Sequence, residues 1–158
     1  MMRRLRLSWR EHPRDDGSTT NWETQAMTPL DKIKSIPMPF SVSMGVTFIE
    51  AEPERVVATM LVREDLCTTR HIIHGGAVMA LADAVGAAAT VINLPEDAKG
   101  TTTIESKTNF VSAAAAGTTV RATATPIHRG RRTQVWQTRI ESEEGKLVGV
   151  VTQTQLVL

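Results

Sequence analysis

A chain of 158 residues, 41% apolar and 22% charged, has the size and composition of one domain with a full hydrophobic core. Its formal charge of +1 is unevenly placed: residues 1–14 hold five arginines against one acid, Glu11, so the rest of the chain has more acidic than basic side chains. That sign excludes a body built to bind nucleic acid by displacing counterions, and Cys67, the one cysteine, excludes an internal disulfide and points to a reducing, cytoplasmic compartment.

Residues 1–27 are rich in Arg, Asp, Ser, Thr and Asn without an apolar period, and they read as a flexible N-terminal extension. They contain no continuous apolar run of the kind that marks a signal peptide. The ordered domain, 28–158, begins where Thr28 caps a short helix with Pro29 at its first position; that helix ends before Pro37-Met38-Pro39. Ser41 to Ile49 and Arg55 to Val62 read as two strands around an acidic turn at 50–54. Residues 75–92, Gly-Gly followed by AVMALADAVGAAATVI, form the strongest helix. After a turn at Asn93-Leu94-Pro95 come four strands, at about 101–111, 118–128, 132–142 and 146–157. Separators this short imply antiparallel hairpins. One long apolar helix against one antiparallel sheet is an α+β architecture.

Between Ala77 and Ile92 the one ionisable side chain is Asp83. A helix apolar all round is expected to be buried on every side, and a carboxylate among Leu81, Ala82, Ala84 and Val85 must then be paired, hydrated or raised in pKa. The helix is too short, with Asp near its middle, to be a membrane span. A structural Asp paired with Arg70 or Arg121 is the bland alternative to a functional one. His74-Gly75-Gly76 stands before the helix. Glycines there allow close approach, and free N–H groups at the positive end of a helix can polarise a carbonyl. Gly75 and Asp83 lie about 12 Å apart along such a helix. One ester or thioester cannot touch both, so a joint action requires two copies of the helix, antiparallel in a symmetric dimer.

His-Gly-Gly followed by Ala-Leu-Ala-Asp on one apolar helix resembles the hotdog-fold acyl-CoA thioesterases of the phenylacetate-degradation type. The resemblance covers about residues 36–158, including Thr-Asn-Phe (108–110), Arg-Gly-Arg-Arg (129–132) and Glu-Gly-Lys-Leu-Val (144–148). It implies a long central helix wrapped by a curved antiparallel sheet, usually in a dimer of dimers. Asp83 would activate water or attack the thioester itself, and the Gly75 N–H of the facing subunit would hold the carbonyl oxygen. Thr68 stands where the family commonly has Asn or Gln, and Thr103 matches a hydroxyl that lies beside the acid. The substrate would be an acyl-CoA, with coenzyme A part of the substrate and no separate cofactor or metal.

A thioester is electrophilic and its thiolate leaves easily, so a base and an oxyanion site suffice. No Gly-x-Ser-x-Gly or His-Glu-x-x-His motif supports a triad hydrolase or a zinc protease. His74 would bond the substrate carbonyl or position Gly75, or would simply bond backbone at the start of the helix. Gly76 belongs to the same substrate-binding turn. Arg129, Arg131 and Arg132 flank Gly130 in a hairpin, where guanidinium forks match the phosphates of coenzyme A or, on the bland view, face solvent. A non-catalytic acyl-CoA or fatty-acid binding module on the same fold is the alternative from a different class.

Overall fold

The computed structural model describes residues 27–158; the expectation of a flexible extension falls almost wholly on residues outside that range. Helix α1 spans Pro29–Ser35 and has the predicted cap. Thr28 Oγ1 accepts from Asp31 N at 3.1 Å while Asp31 Oδ2 accepts from Thr28 N at 3.4 Å, which satisfies two of the donors a helix leaves free. The segment from Ser41, expected to be a strand, departs from that reading. Pro39–Met44 is a second helix, α2, with Pro39 at its first position and Gly45 closing it in the left-handed region at φ 79°. The strand β1 begins later, at Thr47–Glu52.

The strand β2 is Arg55–Leu61, followed by a two-residue pair of strands, β3 (Cys67–Thr68) and β4 (Ile72–Ile73). Helix α3 covers Gly75–Ile92, as the sequence predicts. Four strands complete the chain: β5 (Thr101–Phe110), β6 (Thr119–Arg129), β7 (Thr133–Ser142) and β8 (Leu147–Val157). The large sheet has the order β1-β2-β6-β7-β8-β5, each neighbouring pair antiparallel. This overturns one expected hairpin. Strands β5 and β6 are consecutive but lie apart, because residues 114–116 between them bond instead to the segment leading into α3: Ile73 N donates to Ala114 O, and Ala116 N to His71 O. The crossing chain thereby buttresses the start of α3.

Helix α3 lies across one face of this sheet and touches all six of its strands. Close approach is possible because small side chains meet: Ala82, Ala88 and Ala89 of the helix pack with Ala58, Ala122 and Ala124 of the sheet, and Leu81, Val85, Met60, Ile140 and Trp136 fill the remaining space. Its C-terminal end is tied by polar groups. Gln134 Nε2 donates to Asn93 O at 2.9 Å, and Lys32 Nζ donates to Val91 O at 3.3 Å, a cation where the helix dipole favours one. Among the described residues α3 is the one helix long and apolar enough to cross a membrane, and half of it is buried within the fold.

Every neighbouring pair in the large sheet except β2–β6 contains a register shift. The one in β5 positions the site. Thr103 pairs with Gln155 and Glu105 with Thr154, so Ile104 is an extra residue. Side chains alternate faces along a strand, so Thr103 and Phe110, seven apart, would point to opposite faces. The bulge reverses the phase, and both reach α3: Thr103 meets Asp83, and the Phe110 ring covers Gly75.

Leu81, fully buried at the centre of this contact, gives a direct check on the packing. Leu81→Ala should lower stability by about 2–5 kcal/mol in urea denaturation.

Candidate active site

His74 caps α3: its Nδ1 accepts from Gly76 N at 2.8 Å. The backbone-bonding alternative for His74 is therefore realised, and the Gly76 N–H is occupied. The Gly75 N–H, one residue earlier, donates to no group among the described residues. Gly75 lines an apolar cavity of about 460 Å³ together with Ile72, Val78, Phe110, Val111 and Val148. A Cβ on Gly75 would stand 3.1 Å from the Phe110 ring, so only glycine leaves that ring in place. A second cavity, about 280 Å³, lies on the other side of the turn between Phe40, Met44, Cys67 and His74. Thr68 sits in the β3–β4 pair before this turn, paired with Ile72, and its hydroxyl makes no hydrogen bond among the described residues.

Asp83 lies eight residues further along, and it is exposed. The expectation of a helix buried on all sides is thus corrected. The sheet covers one side of α3, while Gly76, Met79 and Asp83, with the half-exposed Ala80 and Ala87, form an uncovered stripe. Arg70 and Arg121 do not pair with Asp83, and no ion pair among the described residues involves it. Its Oδ1 accepts from Thr103 Oγ1 at 2.8 Å. Gln153 Nε2 lies at the long distance of 3.5 Å from the same oxygen. Oδ2 accepts no hydrogen bond among the described residues. The structure thus brings Thr103 to Asp83 and places His74 and Gly76 at Gly75, it leaves Thr68 in the β3–β4 pair before that turn, and it keeps the two groups apart. Neither cavity beside Gly75 includes Asp83 in its lining.

Cys67 is not poised for attack. Its Sγ donates to Arg63 O at 3.3 Å, and burial, then the charges of Glu64 and Asp65, push the thiol pKa up. The hairpin arginines are mostly committed. Arg129 binds Asn93 Oδ1, Pro53 O and Glu54, and Arg131 binds Asp97 Oδ2 at 2.5 Å. Arg132 alone of the three makes no side-chain ion pair or hydrogen bond among the described residues. The sequence reading missed Gln153 and Gln155, buried in β8, which bond the site from beneath.

Residues 71–149, from the turn before α3 to the start of β8, match the sequence profile of the thioesterase superfamily. The chain belongs to that superfamily. A thioesterase from Haemophilus influenzae has 30% sequence identity and a TM-score of 0.75, over 83% of this chain and 90% of its own. The 1,4-dihydroxy-2-naphthoyl-CoA hydrolase of Escherichia coli K12 is 32% identical over 104 residues, 66% of this chain and 75% of that relative. A variant of the phenylacetic acid degradation protein PaaI from Thermus thermophilus aligns at 29% identity and a TM-score of 0.70, over 77% of this chain and all of that one. This member of the thioesterase superfamily is accordingly a thioester hydrolase with the hotdog fold, its central helix α3 and antiparallel sheet corresponding to the expected architecture.

The turn that leads into α3 holds Arg70 and His71 at positive φ, 68° and 53°. His71 Nδ1 lies 2.9 Å from Glu64 Oε2, and this bond and its charge raise the imidazole pKa. The pair's contribution is present below the ordinary imidazole range and is lost as pH rises through the raised value. In Glu64→Gln, the His71 ring should titrate at lower pH than in the parent, read by NMR.

Proposed function

We propose that this thioesterase hydrolyses an acyl- or aryl-acyl-CoA to the free acid and coenzyme A, at a site shared between two copies of the chain. The single observation that carries this reading is the separation of an unbonded N–H at Gly75 from a carboxylate with one free oxygen at Asp83, at the two ends of the uncovered stretch of one rigid helix.

Two copies of α3 packed antiparallel along their exposed stripes would bring Gly75 of one to Asp83 of the other, twice by symmetry. The residue midway is Met79, which is 40% exposed and would lie beside the twofold axis. The edge strand β5 supports the same packing. It is ten residues long, its outer edge is unpaired, and Ile104 and Phe110 are exposed on it, a combination that normally requires cover.

In such a site the substrate carbonyl oxygen accepts from the Gly75 N–H at the positive end of a helix. Asp83 Oδ2 takes a proton from water as the water oxygen bonds to the carbonyl carbon, or attacks that carbon itself, expelling the coenzyme A thiolate to give a mixed anhydride that water then hydrolyses. In the first route the tetrahedral intermediate then collapses, the C–S bond breaks, and the coenzyme A thiolate takes the proton from Asp83. Thr103 keeps Oδ1 occupied, so that Oδ2 is the oxygen presented. The Gly75 cavity has apolar walls suited to a hydrocarbon or aromatic group. Arg132 is the hairpin arginine with donors to spare for a phosphate.

The test is thiol release, followed with a disulfide reagent, from acetyl-, octanoyl-, palmitoyl- and benzoyl-CoA. Asp83→Asn should lower kcat/KM on the order of 10²–10⁴-fold; a normally folded variant at full activity would remove Asp83 from the mechanism. Binding of all four without turnover would favour the non-catalytic acyl-CoA module. A Cys67→Ser/Met79→Cys double variant should form a disulfide-linked dimer on mild oxidation, and an active species that sediments as a monomer would defeat the shared site.

A further inference from the structure

Three glutamines lie beneath α3 where apolar side chains would pack without loss: Gln134, Gln153 and Gln155, none more than 1% exposed. Burying an amide is unfavourable unless its hydrogen bonds are made. Gln134 is explained by the α3 C-terminus, which it caps. The other two lead to Asp83.

Gln155 Nε2 donates to Thr103 Oγ1 at 2.7 Å, and Thr103 Oγ1 donates to Asp83 Oδ1 at 2.8 Å. At the far side of the amide, Thr101 Oγ1 lies 3.1 Å from Gln155 Oε1 and 3.0 Å from Leu156 O, so two acceptors share its one proton. The direction of this chain is fixed by proton count. A hydroxyl has one proton, and an ionised carboxylate only accepts, so Thr103 must give its proton to Asp83 and accept whatever else bonds it. Gln155 meets that demand only with its nitrogen toward Thr103. A reversed amide would place its oxygen in competition with Asp83 for the Thr103 proton.

We propose that Gln155 is a positioning residue for the hydrolysis: it commits the Thr103 proton to Asp83 Oδ1 and so fixes which carboxylate oxygen is presented to the substrate. This rests on the reading of Asp83 as the acting carboxylate. The fold around it is adapted to the same end. The Ile104 bulge directly follows Thr103 and holds it opposite Gln155. Gly86, in the middle of α3 where glycine is a poor helix former, has no Cβ to overlap the Gln153 amide. Gln153 Nε2 can therefore lie against the helix, 3.4 Å from the Asp83 carbonyl oxygen, and close the site from below.

Gln155→Met keeps the volume and removes the amide. Its kcat on the best of the four acyl-CoA substrates should fall about tenfold, the worth of one neutral hydrogen bond. KM should change less than about twofold, because the contact does not touch the substrate. The melting temperature should not drop, since a buried polar group has been removed. Thr103→Val should lose about as much, and the double variant should be no slower than Thr103→Val alone, because Gln155 acts through the hydroxyl. Full kcat in Gln155→Met, or losses that multiply in the double variant, would overturn the proposal. Should Gln155→Met melt below the parent, Gln155→Leu takes its place in the same cycle. Asp83→Asn assayed alongside separates the two readings. An inactive Asp83→Asn beside a fully active Gln155→Met removes only the positioning role, whereas a fully active Asp83→Asn removes both.

Discussion

A helix is a ruler, and in this protein the ruler keeps two groups apart. Gly75 and Asp83 lie on α3 at a spacing no rotamer change can close, since eight residues of helix span about 12 Å. Every notable feature around the stripe is arranged about that fixed distance. The crossing chain at 114–116 braces the Gly75 end, β5 runs past both ends, and one oxygen of the exposed Asp83 is left free of hydrogen bonds among the described residues. On the proposed reading, a single chain therefore holds two half-sites, each incomplete.

The seating of α3 explains why Gly75 and Asp83 are held rigidly. Alanines on helix and sheet allow close contact, so small shifts meet backbone at once, and the C-terminal end is held by Gln134, Asn93, Lys32 and Arg129. Arg129 is instructive here. Its guanidinium fork suits phosphate, but it is used to tie the β6–β7 hairpin to Pro53, Glu54 and the end of the helix. Buried amides under the middle of α3 look like poor packing until the hydrogen bonds are followed to the carboxylate on its other side.

Much of the architecture was legible because its signals are local. The apolar run at 75–92 and the strand runs after it have the periods, lengths and turn residues of their elements, and their ends agree to within a residue or so. Helix α2 was hidden because PFSVSM is short and has no period; its signals were Pro39 before it and Gly45 after it. The partner of β5 was illegible, since strand order depends on where a chain crosses and not on separator length. Asp83 was found as the lone charge on its helix, but its exposure was misjudged, because composition cannot distinguish a face covered by the chain's own sheet from one left open. Gln153 and Gln155 escaped notice for a similar reason. In Thr-Gln-Thr-Gln every position is polar, so alternation gives no sign of which face turns inward.

The bulge at Ile104 has a consequence for how such a chain can vary. Because it reverses the sidedness of β5 between Thr103 and Phe110, the length of that stretch has a parity. Gain or loss of one residue would turn the ring at the Gly75 end outward while leaving the hydroxyl at the Asp83 end in place, whereas gain or loss of two would preserve both orientations. Insertions and deletions in this strand should therefore be tolerated in pairs and refused singly, a constraint written in counting and not in the identity of any side chain.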